Sequence, residues 1–254
     1  MTLARMLAAA AQLFWPARCA GCDGQVPDSA LFCRWCAPLV SPLGGCCPGC
    51  ALPFRQIGAG ADRCRTCRRV PFAFVEAQAA CEYGAALADA IVTMKHGGRR
   101  DLAVRLARLL VDPLAQVLAR GAFDSADALI PVPLHPRKLR QRGFNQALEL
   151  ARAARALLAR RGPPASGRLP VLERRLLRRV RDTRELGRLG PAARLAVVAG
   201  AFAVGGGAGV GVRGRRVLLV DDVFTTGATL SECARVLCAA GAREVRVIAL
   251  ARAV

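Results

Sequence analysis

Residues 217–230, which read VLLVDDVFTTGATL, bring together the side chains best suited to chemistry in this chain. The first four are apolar and rich in β-branched types, which is typical of a buried central strand. Two adjacent carboxylates, Asp221 and Asp222, stand where we expect that strand to end. A loop of small and hydroxylated residues comes next: Thr225, Thr226, Gly227, Ala228 and Thr229.

The loop is predicted to connect a strand to a helix. Residues 228–240 have a helical pattern that ends at Gly241, and residues 244–250 have the pattern of a second strand. A strand–loop–helix–strand unit indicates a parallel α/β sheet. Backbone N–H groups at the start of such a helix, with threonine hydroxyls around them, form a site for a phosphate group.

The two carboxylates would repel a phosphate, so we expect them to face another part of the ligand. A carboxylate accepts hydrogen bonds from hydroxyl groups, and a vicinal diol is therefore a suitable partner. A phosphate and a diol about one sugar apart describe a ribose 5-phosphate. The segment closely resembles the phosphoribosyl-pyrophosphate (PRPP) motif of type I phosphoribosyltransferases. That resemblance implies that Asp221 and Asp222 hold the ribose hydroxyls as the catalytic pair, while residues 225–229 surround the 5-phosphate. The alternative is an ordinary strand–helix turn in which the two aspartates simply precede the helix.

Eight cysteines form four Cys-x-x-Cys pairs within residues 19–67. The pairs are Cys19 with Cys22, Cys33 with Cys36, Cys47 with Cys50, and Cys64 with Cys67. Each pair puts two thiolates on one tight turn, which is half of a tetrahedral zinc site. Pairing in sequence order predicts two structural zinc ribbons with four cysteine ligands each. Interleaved pairing and redox-active or disulfide-bonded cysteines are the alternatives. Cys46 adjoins Cys47, but only Cys47 keeps the spacing of the other pairs.

The composition indicates a folded chain with a strongly basic character. Its 254 residues suit one large domain or a medium domain with a small addition, and an apolar fraction of 54% is ample for a core. The net charge of +20 favours a polyanionic partner such as nucleic acid. Because Lys95 and Lys138 are the only lysines, the arginine excess can instead reflect codon composition.

The cellular setting is expected to be the cytosol, because closely paired cysteines suggest metal binding in a reducing compartment. No run approaches the ~20 apolar residues that span a bilayer. Residues 1–14 imitate a signal peptide, but we interpret them as a short amphipathic helix that packs on the domain.

A second cluster of candidate residues lies in the middle of the chain. Residues 128–133 are predicted to form a buried strand, and four cations follow within residues 137–142. Residues 144–146 are then expected to start a helix that runs to about Arg161. Lys95 falls in a turn predicted between helices at residues 83–94 and 101–120. That lysine can reach a pyrophosphate or remain a solvated turn residue.

The four cysteine pairs, the segment IPVPLHPRKLRQRGFNQ and the PRPP-like motif together resemble the ComF family. Members are cytoplasmic proteins related to phosphoribosyltransferases and associated with DNA uptake in natural transformation. The resemblance covers nearly the whole chain. It implies an α/β, parallel-sheet, type I phosphoribosyltransferase-like domain at residues 71–254, preceded by an N-terminal helix and a double zinc ribbon at residues 1–70. It also implies PRPP or another phosphoribosyl ligand with Mg²⁺, and single-stranded DNA and competence proteins as partners.

In related transferases the loop after the middle strand contacts the pyrophosphate. The corresponding positions here run from Leu134 to Arg137, with Arg140 and Arg142 as further candidates. A solvated basic loop is the alternative. The candidates for nucleic-acid contact are Arg140, Arg142, Arg174, Arg175, Arg178 and Arg179.

The flexible loop of the family corresponds to residues 171–189, and its sequence departs from the family pattern. Arg181 and Thr183 fit that pattern, whereas Leu186 and Val197 replace an expected glutamine and asparagine. These changes weaken a substrate-closing role for the loop. The sequence therefore leads to two alternative functions. One is an enzyme that transfers ribose 5-phosphate from PRPP with loss of pyrophosphate, and the other is a non-catalytic ligand-sensing or DNA-handling protein.

One further motif is rejected because of its context. Residues 209–214 satisfy the GxGxxG dinucleotide fingerprint, but they precede a strand instead of linking a strand to a helix. We also expect Cys81, Cys233 and Cys238 to be small buried apolar residues within regular structure.

Overall fold

The computed structural model describes residues 16–27, 30–57, 63–69, 71–119, 126–162, 168–183, 196–205 and 211–254. The helix expected within residues 1–14 lies outside these ranges, as does Leu186 of the predicted flexible loop. Within the described ranges, none of the helices has the length and apolarity needed to cross a membrane.

A five-stranded sheet of parallel strands forms the centre of the fold, as the sequence predicts. In spatial order its strands are β1 (Glu76–Glu82), β7 (Glu244–Arg252), β6 (Arg216–Phe224), β2 (Ala128–Pro131) and β3 (Val171–Leu172). Two further strands, β4 (Leu177–Arg179) and β5 (Phe202–Val204), form a separate antiparallel pair.

The helices are mostly short. In chain order they are α1 (Phe54–Ile57), α2 (Arg65–Arg69), α3 (Ala85–His96), α4 (Arg100–Leu106), α5 (Val111–Ala119), α6 (Pro136–Arg142), α7 (Gln146–Arg161) and α8 (Ala228–Ala239). Single turns of 3₁₀ helix occupy Ala37–Leu39 and Ala107–Leu110. α7 starts where the sequence predicts, because the Asn145 side chain accepts hydrogen bonds from the N–H groups of Ala147 and Leu148.

The sheet separates two apolar cores, and alternate residues of β6 face opposite sides. Leu218 and Val220 pack with α3, α4, α5 and α7 on one face. Val217 and Leu219 pack with α8, the β4–β5 pair and the cysteines of residues 47–67 on the other face. Both faces are thus covered, which explains the continuous apolar run that starts β6.

The cysteine-rich segment lies against the outer edge of β1. Pro42 forms an antiparallel bridge with Cys81, and the Leu43 N–H donates to the Ala80 carbonyl at 2.9 Å. Near the start of β1, the Ala77 N–H donates to the Pro48 carbonyl at 2.8 Å. The boundary predicted at residue 70 therefore separates two segments that share both hydrogen bonds and a core.

Three local predictions are wrong. β6 does not end before the carboxylate pair, because β7 continues to pair with it as far as Phe224. The cationic stretch after β2 is not a loop but α6, which is capped by His135 and ended by Gly143 at a φ of +81°. Lys95 lies in the last turn of α3 and not in a connecting turn.

Two other segments refine the sequence interpretation. Residues 171–179 form β3, a bend and β4, so their arginines lie on a strand–turn–strand unit. The described part of the GxGxxG segment, residues 211–214, is a turn that precedes β6, which agrees with rejection of the fingerprint. Cys81 and Cys233 are buried as predicted, but Cys238 is exposed because it lies on the outer side of α8.

Candidate functional site

The carboxyl end of β6 forms the centre of the candidate site. β2 pairs with β6 only as far as Val220, whereas the pairing with β7 continues for four further residues. Asp221 and Asp222 therefore lie beyond the last residue of β6 that is paired with β2. Ligand sites of open α/β sheets lie at the carboxyl ends of the strands.

The loop after β6 turns sharply at Gly227. Its φ is +79°, and a Cβ atom there would lie 2.7 Å from both Phe224 Cε2 and Phe72 Cε1, so that a larger residue cannot fit without movement of the rings. α8 begins at Ala228, and the side chain of Thr225 is exposed beside the start of the helix. The N–H groups of the first turn, with the threonine hydroxyls, can bind an anion.

Asp222 faces α3 and α7 and is held by polar neighbours. Its carboxylate forms an ion pair with the ammonium group of Lys95. Gln146 Nε2 donates to Asp222 Oδ1 at 3.2 Å, and Arg142 Nη1 donates to Gln146 Oε1 at 2.6 Å. Burial opposes ionisation of Asp222, but Lys95 and the Gln146 hydrogen bond hold the pKa of this carboxyl below its usual value.

Asp221 lies on the other face of β6 and has different surroundings. The Asp222 N–H donates to Asp221 Oδ1 at 2.9 Å. Burial and the adjacent charge of Asp222 raise the pKa of Asp221 well above its usual value. The two carboxylates are thus unequal, since Asp222 is stabilised as an anion and Asp221 is favoured to keep a proton.

Cations converge on this carboxylate pair from several elements. Lys138 of α6 is close enough to Lys95, Arg142 and Arg179 to feel their charges. Burial, followed by repulsion from Arg179, lowers the pKa of Lys138, while Asp182 partly offsets that shift. Burial likewise lowers the pKa of Arg142 and of Arg179. The carboxylate pair interacts with Lys95, Arg142 and Arg179. Together with Lys138 beside them, these cations make an electropositive site that would be stabilised by an anionic ligand.

A cavity of about 660 Å³ opens beside this cluster. Its walls include Leu134 and His135 after β2, Asn145 at the start of α7, and Arg179 of β4. Apolar side chains such as Leu139 and Leu148 also line it. The cavity therefore combines apolar surface with a cationic border, and it is large enough for a small organic ligand.

The remaining cationic candidates are on the surface. Arg137 and Arg140 are exposed on α6, and neither is among the residues that line the cavity. Arg174, Arg175 and Arg178 are also exposed, and all three line the cavity mouth together with Arg179. The structure therefore separates an inner set of cations at the carboxylate pair from an outer arginine set on the bend before β4 and on β4 itself.

The eight predicted metal ligands form two separate tetrads, in the sequence order that was expected. The first tetrad contains Cys19, Cys22, Cys33 and Cys36, and the second contains Cys47, Cys50, Cys64 and Cys67. Within each tetrad all sulfur atoms lie within 4.8 Å of one another. Cys46 belongs to neither. Interleaved pairing is therefore wrong.

The spacing of the sulfur atoms fits a tetrahedral metal ion. Cys22 Sγ and Cys33 Sγ are 3.7 Å apart, and Cys50 Sγ and Cys64 Sγ are 3.6 Å apart. With Zn–S bonds of about 2.3 Å, the edge of a tetrahedron is about 3.8 Å. Backbone N–H groups also donate to sulfur in both tetrads, from Cys33 to Cys19 and from Cys64 to Cys47, each at 3.2 Å. Each tetrad can therefore hold a structural zinc ion.

Sequence reasoning missed two contributors to the inner site. Gln146 was treated as part of a helix start, and Lys138 as one cation of a basic run. Arg142 ends α6 and Gln146 begins α7, so their contact depends on the turn between the two helices and has no signal in the local sequence. The role of Lys138 depends on the unforeseen helix α6, which turns this side chain toward Arg142 and Arg179.

Comparison with known proteins agrees with this arrangement. The family model described as "Phosphoribosyl transferase domain" matches residues 208–253, which include β6, the loop, α8 and β7. The "DNA utilization protein YhgH" of Salmonella typhi is 29% identical over 220 residues, covering 87% of this chain and 89% of the relative. The "Competence protein F" of Haemophilus influenzae is 33% identical over 148 residues, covering 58% of this chain and 60% of the relative. The "Competence protein ComFC" of Streptococcus pneumoniae is 29% identical over 123 residues, covering 48% of this chain and 47% of the relative.

These relatives and the domain match support the resemblance to the ComF family. Its fold is the α/β parallel-sheet phosphoribosyltransferase type, with two N-terminal cysteine tetrads. The segment matched by the family model supplies both the carboxylate pair and the loop that follows it. The inner cations come from α3, α6 and β4, outside the matched segment.

Proposed function

We propose that this protein binds PRPP at the carboxyl end of β6. In this proposal the 5-phosphate lies in the loop formed by Thr225, Thr226, Gly227, Ala228 and Thr229, and the ribose hydroxyls donate to Asp221 and Asp222. The observation that carries the proposal is the junction of β6 and α8, where a glycine-dependent turn and a helix N-terminus directly follow two carboxylates. One side of this junction suits a phosphate and the other suits a diol.

The inner cations support a pyrophosphate beside the ribose. The carboxylate pair interacts with Lys95, Arg142 and Arg179, and Lys138 lies beside these cations. The pKa values of Lys138, Arg142 and Arg179 are lowered because burial disfavours their charges. A pyrophosphate would supply the missing negative charge. Lys95 has a flexible four-carbon stem and can move from Asp222 to a phosphate oxygen. Leu134 and Arg137 remain part of this proposal as the residues that follow β2.

Mg²⁺ is proposed to enter with the ligand. It prefers oxygen ligands and often binds through one or two carboxylates together with substrate phosphates. The carboxylates of Asp221 and Asp222 are donors of this type, next to the place proposed for the ribose and pyrophosphate. When bound, Mg²⁺ would neutralise charge on the departing pyrophosphate. Zinc is proposed for the two cysteine tetrads, where its role is structural because four thiolates leave no open coordination position.

The site also suits transfer of the ribose 5-phosphate group to an acceptor. Such a reaction relies on positioning of the reactants and on cations near the departing pyrophosphate. The cavity beside the inner cations is the proposed place for the acceptor. A non-catalytic role in ligand sensing or DNA handling is the second candidate, favoured by Val197 at an expected asparagine position. The Val197 backbone carbonyl accepts a hydrogen bond from Arg181 at 2.8 Å.

A link to DNA uptake in the cytoplasm is proposed from the names of the relatives. Those names include a DNA utilization protein and two competence proteins. The outer arginine set and the charge of +20 support contact with single-stranded DNA. Competence proteins are the proposed macromolecular partners.

The test is a calorimetric titration of the full chain with PRPP and Mg²⁺. The parent should bind one PRPP per chain, and the double variant Asp221→Asn, Asp222→Asn should bind at least about a hundredfold more weakly. Asp222 contributes a charge-assisted hydrogen bond of about 1.5–3 kcal/mol and Asp221 an uncharged one of about 1 kcal/mol, and both are lost. Circular dichroism would establish that the variant is folded. Equal affinity in a folded double variant would refute the assignment of the ribose to these carboxylates.

A further inference from the structure

Arg252, at the end of β7, connects the second cysteine tetrad to the loop at the end of β6. Its side chain is buried, at 9% exposure, and it lies opposite Phe224 in the β6–β7 register. Arg252 Nε donates to the Cys50 carbonyl at 2.7 Å. Arg252 Nη1 donates to the Phe224 carbonyl at 3.1 Å and to the Thr225 carbonyl at 2.7 Å. One guanidinium thus joins a metal-ligand residue to the first residues of the loop.

The hydrogen bond to Thr225 fixes which way a peptide group of the loop faces, whereas the Phe224 carbonyl also accepts from the Ala253 N–H at 2.9 Å. In a planar trans peptide the C=O and the following N–H point in opposite directions. Because the carbonyls of Phe224 and Thr225 point to Arg252, the N–H groups of Thr225 and Thr226 point away from it. An anion-binding loop needs its N–H groups toward the ligand and its carbonyls away from it. Arg252 holds the start of the loop in that orientation.

Aromatic packing joins the same two regions. Phe72 and Phe74 follow the second tetrad in the sequence and stack on each other with ring centroids 4.8 Å apart. Both contact the Phe224 ring edge-on, at 5.9 and 6.0 Å, and Arg252 lies over that ring at 4.7 Å. The Ala73 N–H donates to Ser231 Oγ in the first turn of α8 at 3.1 Å. The loop and the start of α8 therefore pack against residues 72–74, which come shortly after the second tetrad in the sequence.

The first tetrad has a different position in the fold. Its buried cysteines, Cys19 and Cys36, pack with Ala86 of α3. The second tetrad belongs to the same apolar core as Phe74 and Phe224. The two tetrads are chemically alike, but only the second shares a core with the residues that support the loop.

We infer that Arg252 is a positioning residue for the phosphate loop, and that it makes the order of this loop depend on the metal in the second tetrad. Metal binding holds residues 47–50 in one conformation, which keeps the Cys50 carbonyl in place for Arg252. Arg252 then keeps the Thr225 carbonyl away from the ligand. The consequence for ligand affinity rests on the proposed phosphoribosyl site, whereas the order of the loop does not.

The first experiment measures amide hydrogen exchange of residues 224–233, which include the first hydrogen-bonded amides of α8, in the full chain without ligand. Arg252→Met keeps much of the side-chain volume but removes the donors, and Arg252→Lys keeps the charge without the planar fork. Both should exchange at least about tenfold faster in this segment while retaining two zinc ions per chain. Arg243→Met is the matched control, because Arg243 is an exposed arginine that precedes the same strand. Exchange in Arg252→Met equal to the parent would overturn the inference.

The metal dependence is tested by comparing one variant of each tetrad. Cys67→Ser should release the second zinc and increase exchange at residues 224–233, whereas Cys33→Ser should release the first zinc and leave that exchange as in the parent. Equal effects of the two variants would overturn the link to the second tetrad. If Cys67→Ser does not fold, the two Arg252 variants still decide the positioning role.

Ligand affinity gives a separate result. Calorimetry with PRPP and Mg²⁺ should show at least about tenfold weaker binding for both Arg252→Met and Arg252→Lys. Methionine has no donor, and the lysine ammonium lacks the planar guanidinium that reaches the Cys50 and Thr225 carbonyls together. Parent-like affinity of Arg252→Lys would overturn the positioning role. If the parent itself binds no PRPP, the proposed function fails, and the exchange comparison still decides the inference.

Discussion

At the scale of single residues, the two carboxylates of β6 are neighbours in sequence but differ in charge environment. Asp222 pairs with Lys95 on the face of α3 and α7. Asp221 lies on the opposite face, where burial and the charge of Asp222 disfavour its ionisation. This difference arises because adjacent strand residues face opposite sides of a sheet. It predicts opposite dependences of stability on pH for single asparagine variants.

Asp222→Asn should lower the free energy of unfolding at neutral pH by about 2–4 kcal/mol, because Lys95 loses its buried partner. The pKa of Asp222 is lowered in the fold, so its contribution is present above the unfolded pKa of about 3.9 and is lost as the pH falls below it. The deficit of Asp222→Asn relative to the parent should therefore shrink in acid. Urea unfolding at a series of pH values measures this.

Asp221→Asn should behave in the opposite way. The pKa of Asp221 is raised in the fold, so its contribution is present below about pH 3.9 and is lost as the pH rises toward the raised pKa. Relative to the parent, Asp221→Asn should become more stable as the pH rises from about 4 to neutral. The same urea series tests both variants. Parallel pH curves for the two variants would show that the carboxylates are equivalent and that this description is wrong.

At the scale of elements, the two cysteine tetrads are the units that metal should stabilise. The parent should contain two zinc ions per chain by elemental analysis, because the sulfur spacing in each tetrad fits a tetrahedral ion. Cys33→Ser should leave one zinc ion and weaken the N-terminal segment, while the parallel sheet stays folded. Cys238→Ser is the matched control, since Cys238 is an exposed cysteine outside both tetrads. A parent with one zinc ion or none would contradict the assignment.

Elements with a strong local signal were predictable from the sequence. The apolar run of β6, the turn at Gly227, the helix α8 and the start of α7 at Asn145 each depend on neighbouring residues. The cysteine spacing also predicted both tetrads. Where β6 ends was not predictable, because pairing with β7 decides it and local sequence does not.

The parts of the site that sequence reasoning missed depend on contacts between distant elements. α6 was mistaken for a loop because its arginine and lysine residues resemble a solvated basic run, although the His135 cap and Gly143 give it definite ends. The pairing of Lys95 with Asp222 joins α3 to β6, and the contacts of Arg252 join β7 to residues 50 and 225. No local pattern specifies such pairs, since they follow from the order of strands in the sheet.

At the scale of the whole molecule, the net charge of +20 and the outer arginine set suit a long anionic partner. We expect single-stranded DNA to bind with little sequence preference. Each phosphate contact on a single strand contributes about 0.7 to the salt dependence, so roughly five or six contacts give a log–log slope of about −4. Stacking should contribute less, because aromatic residues make up only 5% of the chain.

The charge-matched comparison uses two triple variants. Replacing Arg174, Arg175 and Arg178 with alanine should reduce the slope to about −2, because three phosphate contacts are lost. Replacing the exposed Arg160, Arg213 and Arg243 removes the same charge elsewhere and should leave a slope close to that of the parent. Fluorescence anisotropy at several salt concentrations measures the slopes. If both triple variants change the slope equally, the outer arginine set is a solvated surface and not a DNA contact.

The central claim is that the end of β6 recognises both a phosphate and a ribose diol. The most direct measurement compares ribose 5-phosphate with 2-deoxyribose 5-phosphate by calorimetry on the same protein, since the two ligands share the phosphate and differ by one hydroxyl. We predict that ribose 5-phosphate binds at least about tenfold more tightly, because its second hydroxyl donates to a carboxylate. Equal affinities would contradict recognition of the diol and would indicate a site for sugar phosphates in general, including those of DNA.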